Sequence, residues 1–263
     1  LTTHLIPLGT NGFIPSFGRQ TMSFLLVDGA RALLLDAGSG VGRLLEPAVA
    51  RALEPCARLE ILLTHYHLDH VVGLSYLPGV WRGRAVRLWC PAPPLVDAPP
   101  EEALDRLFSP PLFPLRLREL PLGVEVEPFG SPELEIDGWS LRFRRQIHPG
   151  GSVAVRVDDR LAYVTDTAVD DENAVFARGV DLLLHEAWLS DAQAVDVDLR
   201  TQGHTPAGGV ARVARAAGCR RVMTIHHHPA RTDAEVGELA RGIARLAGIP
   251  VEAAVEGRAY PLD

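Results

Sequence analysis

Lysine is missing from this chain: all 26 basic residues among its 263 are arginine, and asparagine occurs only at Asn11 and Asn173. That bias looks like GC-rich coding and says little about mechanism, since arginine in place of lysine is a weak sign of a thermophile. Cysteine is scarce. Cys56, Cys90 and Cys219 stand far apart, an odd number without paired spacing. This argues against a disulfide framework and fits a reducing cytoplasm. None lies beside a histidine at ligand spacing, and each reads as a small buried hydrophobe. No apolar run reaches the ~18–20 residues that span a bilayer, so no membrane association is expected. The opening Leu1-Thr2-Thr3-His4 lacks the basic-then-apolar order of a secretory leader, and a cytoplasmic protein is expected. A surplus of positive charge is absent too. The net charge is −7, whereas a protein that grips a long polyanion usually carries a broad basic face. The local basic clusters, Arg116/Arg118 and Arg142/Arg144/Arg145, alternate like strand residues, and solvated sheet edges explain them about as well as substrate binding does.

What is present is an ordinary globular composition, 47% hydrophobic and 22% charged, arranged mostly as strands. Residues 3–9 read as a strand, followed by a Gly/Pro-rich loop to Arg19. Thr21–Asp28 and Arg31–Asp36 form a hairpin about Asp28-Gly29. A helix is predicted over Val41–Leu53, disturbed by Pro47. Leu59–Leu63 is a buried strand. Residues 91–121 are a proline-rich excursion around one short helix, Glu101–Phe108, of the kind that often lines a site. Strands resume at 124–128, 133–136, 139–147, 152–157, 161–166, 181–186, 222–226 and 251–255. Thr205-Pro206 opens a helix to Ala217, and the capping box Thr232-Asp233-Ala234-Glu235 opens another to about Leu246, each closed by glycine. No linker divides the chain, so 1–263 is expected to be one α/β domain of two sheets packed face to face with helices outside.

The densest chemistry lies in Thr64-His65-Tyr66-His67-Leu68-Asp69-His70, where four metal-ligand side chains fall within six residues. Such groups do not crowd together as apolar core. In an extended segment His65 and His67 face one side, and Asp69 and His70 follow after the chain turns into a helix near Val71. Two adjacent ions suit four such ligands better than one ion that must also admit water. Further donors sit at strand ends: His148 before Pro149-Gly150-Gly151, Asp166 after Leu161–Thr165, and His226 after Val222.

His65-x-His67-x-Asp69-His70 after an apolar strand resembles the signature of the metallo-β-lactamase superfamily. Leu35-Asp36-Ala37-Gly38, His148, Thr165-Asp166-Thr167 and His226 fall in that family's order over nearly the whole chain. The resemblance implies a four-layer αββα sandwich with a dinuclear site at one edge. By position, His65, His67 and His148 would bind one ion, Asp69, His70 and His226 the other, and Asp166 would bridge them. Asp36 would orient ligands from behind. The ions would be divalent, zinc by expectation, with manganese or iron as alternatives. Histidine at position 67, where the di-iron oxidoreductase branch carries Glu, favours hydrolysis.

His185-Glu186-Ala187-Trp188 and Gly203-His204-Thr205-Pro206 resemble the His-Glu-Ala-Thr and His-Ser-Thr elements of ribonuclease Z and its phosphodiesterase relatives. There Glu186 would orient His204, and His204 would assist departure of the alkoxide. Trp188 departs from that pattern, as does Thr205-Pro206. His226-His227-His228-Pro229 resembles a His-His-Asp-Pro motif, with His228 in the place of Asp. His185, His227 and His228 are expected beside the ligands, not among them. No arm for holding tRNA has a clear counterpart, and the acidic charge argues against tRNA. The expected enzyme is a phosphodiesterase acting on a small cyclic nucleotide or cyclic phosphate. A hydroxide held between two ions ~3.5–4 Å apart would attack phosphorus in line, with Asp69 placed to take a proton. The alternatives are a lactone, thioester or β-lactam hydrolase, a ribonuclease Z-type endonuclease, or a ligand-sensing module with little turnover. A homodimer is compatible with the sequence.

Overall fold

A computed structural model describes residues 2–262. The chain forms two compact units. Among the described residues, one comprises residues 19–130 with 2–15 and 255–261, the other residues 131–254 with 16–18 and 262.

The first unit is built on a seven-stranded sheet. From edge to edge its strands are Tyr260–Leu262, Thr3–Gly9, Ser23–Asp28, Arg31–Leu35, Arg58–Leu62, Ala85–Pro91 and Val124–Phe129. The hairpin about Asp28-Gly29 is antiparallel. From Arg31–Leu35 onward all neighbours are parallel, so four strands end at one edge. The central strands are buried on both faces, which is why they read as near-continuous apolar runs. Leu34, Ile61, Leu63, Leu74, Leu88 and Phe108 belong to one buried cluster. The helix predicted over Val41–Leu53 is two pieces, a 3-10 helix Ser39–Leu45 and an α-helix Pro47–Ala52. Pro47 takes the first helical position of the second piece, where its missing N–H costs nothing. The short helix in the proline-rich stretch is Pro100–Leu107.

The second unit repeats the plan. Its sheet runs Val251–Ala253, Arg221–Ile225, Leu182–Glu186, Leu161–Val164, Val153–Val157, Trp139–Arg145 and Glu133–Ile136. The first four of these are parallel to one another. Val153–Val157 is antiparallel to both its neighbours, so Trp139–Arg145 points the same way as the parallel set. The strands end sooner than expected at His148 and Asp166, leaving both in the turns beyond. Helix Asp233–Ala247 opens with the Thr232/Glu235 capping box and closes at Gly248, whose φ is 72°. Helix Ala207–Ala217 is capped at Pro206 and not at Thr205. The Thr205 hydroxyl donates instead to the Thr167 carbonyl at 2.7 Å, tying the turn to the loop after Asp166.

Candidate active site

In the first unit two parallel strands deliver the donors. Arg31–Leu35 ends at Asp36, and Arg58–Leu62 ends at the His65–His70 turn. His67 precedes a single helical turn, Leu68–Val71, which carries Asp69 and His70. Asp36 is fully buried and adopts φ 58°. Its carboxylate accepts from the Thr64 amide at 2.7 Å, from the Thr64 hydroxyl at 2.9 and 3.0 Å, and from His70 Nδ1 at 2.9 Å. A carboxylate only accepts, so Nδ1 of His70 carries the hydrogen and Nε2 keeps its lone pair for a ligand. Thr64 Oγ1 spends its one proton on Asp36, so it accepts from His65 Nδ1 at 3.0 Å. His65 is thereby held in the same tautomer. Asp69 Oδ2 lies 3.6 Å from His70 Nε2, too far for a good hydrogen bond. The His65 ring centroid is 4.6 Å from that of His67 and 4.2 Å from that of His70.

The Asp36 turn and the ligand helix touch backbone to backbone. Ala37 N donates to His70 O, and Gly73 N to Ala37 O. A Cβ on Gly38 would stand 2.2 Å from Asp69 O, and one on Gly73 would stand 2.1 Å from Gly38 O.

In the second unit Glu186 is the last residue of its strand, Asp166 and His226 follow the ends of the parallel strands on either side, and His148 follows Trp139–Arg145. Asp166 and His226 adopt φ 43° and 51°. Asp166 Oδ1 accepts from Thr165 Oγ1 at 2.5 Å. Its Oδ2 faces two imidazoles, His226 Nε2 at 3.3 Å and His148 Nε2 at 3.6 Å. Those gaps are longer than a charge-assisted hydrogen bond. His148 Nδ1 donates to the Gly203 carbonyl at 3.0 Å, leaving Nε2 toward Asp166. Burial holds the His148 imidazole below its ordinary pKa, in the neutral form that ligates metal. Gly203 adopts φ 70°, and a Cβ there would stand 2.5 Å from His148 Nδ1.

Glu186 is fully buried with both oxygens engaged. Oε1 accepts from the Thr167 amide at 2.5 Å and Oε2 from His204 Nδ1 at 2.9 Å. His204 brings a nitrogen within 4.8 Å of donor atoms of Asp166 and His226. Trp188 stacks on His204 at 4.7 Å and 22°, and its ring lies 4.6 Å from that of the half-buried His228. Burial, then Arg231, holds His228 below its ordinary pKa. His227 is buried. His185 is not brought to this group. It alternates with Glu186 along the strand and pairs in register with Val164 and Thr224, so it lies in the apolar layer with Leu183 and Val222. Its Nδ1 donates to the Glu186 carbonyl at 2.8 Å, and its buried Nε2 has no hydrogen-bond partner.

Sequence reasoning missed the relay through Thr64, the Gly203 carbonyl behind His148 and the Trp188 ring on His204. Thr64 was legible as a hydroxyl abutting the ligand motif. The other two depend on which loops meet.

Each half offers imidazoles and carboxylates with lone pairs left over, a donor set suited to divalent metal. Such sets at the ends of parallel strands are the chemistry of a metal-dependent hydrolase. The chain belongs to the beta-lactamase superfamily, whose domain profile matches residues 31–227. It is similar to a ribonuclease Z of Nocardia farcinica, 30% identical over an alignment of 271 positions, gaps included, that covers 84% of this chain and 86% of that protein. Among solved structures, it resembles the metallo-beta-lactamase fold protein YhfI from Bacillus subtilis, with a TM-score of 0.78 and 20% identity over 99% of this chain and 100% of that one. A diphosphatase of the PhnP family gives a TM-score of 0.69 and 17% identity over 99% and 98% of the two chains.

Proposed function

We propose that the chain is a dinuclear phosphodiesterase acting on a small cyclic nucleotide or cyclic phosphate ester. In this reading 1–263 works as one hydrolase domain. His65, His67 and His148 would hold one ion, Asp69, His70 and His226 would hold the other, and Asp166 would serve both. Zinc is the expected metal, with manganese or iron as alternatives. When bound, such ions supply Lewis acidity toward a phosphoryl oxygen and bring the pKa of water to about 7.

The observation that carries the phosphodiester reading is the Glu186–His204 pair. A departing alkoxide needs a proton or a positive partner. With Nδ1 committed to Glu186, His204 presents Nε2, and protonation there makes it the donor. The stacked Trp188 face gives the protonated ring a cation–π partner. Asp69 is placed to take a proton from the attacking water. The ribonuclease Z relative agrees with a phosphodiester bond. The net charge of −7 and the weakly basic proline-rich stretch favour a small substrate over tRNA.

The test is a rate comparison on bis-p-nitrophenyl phosphate, cyclic nucleotides and lactones with metal-loaded protein. Turnover of the cyclic nucleotides, whose leaving group is an alkoxide, is expected to fall about 10²–10³-fold in His204→Ala. Preferential lactone hydrolysis, indifferent to His204→Ala, would overturn the reading.

A further inference from the structure

The Gly/Pro-rich loop after the first strand bears an exposed apolar pair, Phe13 at 71% and Ile14 at 48%. Single exposed hydrophobes are ordinary on a protein surface. Phe13 is not ordinary in its backbone, which adopts φ 67°, a region that favours glycine and asparagine and is strained for a bulky side chain. A ring standing in water gains no packing that would offset that strain, so the cause lies outside the folded core.

The loop's position supplies the cause. The Phe13 amide donates to Asp69 Oδ2 at 2.6 Å, so the backbone that carries the ring is tied directly to a candidate metal ligand. The loop is also held stiffly. Asn11 is fully buried, its Oδ1 accepts from Arg19 Nε at 2.6 Å, and its Nδ2 donates to the Ile14 carbonyl at 3.3 Å. The amides of Thr10 and Asn11 both donate to the Gln20 carbonyl at 2.9 Å. A ring presented on a braced loop loses little freedom when a ligand arrives.

We infer that Phe13, flanked by Ile14, is a specificity-determining platform on which a planar apolar group of the substrate stacks while its phosphoryl group sits beside Asp69. The inference rests on the phosphodiester reading and narrows it to esters that carry an aromatic or nucleobase arm. Stacking of a base on an aromatic side chain typically gives tenfold or more in affinity.

The test is calorimetric titration of metal-loaded protein with phenylphosphonate and with methylphosphonate, which share an anionic head and differ in the arm. Wild type should bind the phenyl compound at least about tenfold more tightly. In Phe13→Gly, which keeps the backbone conformation accessible and removes the ring, that ratio should fall to near one. The melting temperature should hold or rise, because glycine relieves the strain. Phe13→Trp should keep the preference. Equal affinities in wild type, or a preference that survives Phe13→Gly, would overturn the inference. So would a fall in melting temperature matching the fall in affinity, since that marks a structural residue. None of these readings requires turnover. Absence of diester hydrolysis counts against the phosphodiester reading, while the binding ratio judges Phe13.

Discussion

Glu186 shows how one side chain can settle another's chemistry. Both of its oxygens are occupied, by the Thr167 amide and by His204. Glu186→Gln keeps the shape but offers one acceptor where two are needed. His204 then loses its fixed tautomer, and kcat on a diester with an alkoxide leaving group, such as a cyclic nucleotide, should fall about 10²-fold with little change in KM. His185, its neighbour in sequence, belongs to a different problem. Burial holds its pKa below the ordinary value of about 6.5. The stability it contributes is therefore present above pH ~6.5 and is lost as pH falls through the folded-state value. Urea melts at several pH values should show wild type weakening below pH ~6.5 by up to about 1.4 kcal/mol per pH unit more than His185→Leu. Parallel pH profiles in the two proteins would show that another group carries the loss. Adjacency in sequence suggested a place beside the site for His185, and strand alternation put it on the other face. The His65–His70 motif was legible because its donors crowd within six residues. The role of Trp188 was not, because stacking depends on two strand-end loops meeting.

At the scale of elements, the ligand helix is positioned by the absence of side chains. Gly38 and Gly73 let the Asp36 turn approach the Asp69–His70 helix until a methyl group would fall within about 2.2 Å of a carbonyl oxygen. Gly73→Ala should therefore cost about 3 kcal/mol or more and reduce bound metal, whereas Gly83→Ala, where the space is open, serves as a comparison for a local positive-φ effect alone. Thermal melts with metal analysis would check both. Hairpins and capping boxes were readable in the sequence because their signals are local. The helix over Val41–Leu53 was drawn as one element because its apolar spacing continues through Pro47, which instead starts a second helix. The strand Ala85–Pro91 went unread. It pairs in parallel on both sides, so no turn marks it, and it runs into the proline-rich stretch.

At the scale of the whole molecule, metal should be both a reagent and a clamp. Removal by chelation should abolish hydrolysis and lower the melting temperature, and readdition of zinc or manganese should restore both. A site saturated a thousandfold over its Kd adds about 4 kcal/mol to stability, which a melt in the presence and absence of chelator can resolve. Unchanged melting after complete metal loss would argue against a metal that stabilises the fold. A small substrate also predicts weak dependence of KM on salt, unlike an enzyme that releases many counterions from RNA. Two sheets and their helices were expected from the strand pattern, and the superfamily followed from motif order. No change in composition marks residue 130, where the two compact units divide.

Asp36, Asp166 and His226 share a left-handed backbone, and this bears on how the protein can drift. At such positions a random substitution incurs two losses, the donor atom and the conformation. Asparagine tolerates the conformation while weakening the donor, and glycine preserves the conformation alone. The mutational neighbourhood of these sites is therefore narrow for reasons only half chemical. A lineage that abandoned the metal would be expected to keep Gly, Asn or Asp at positions 36, 166 and 226 long after His65 and His67 had changed freely.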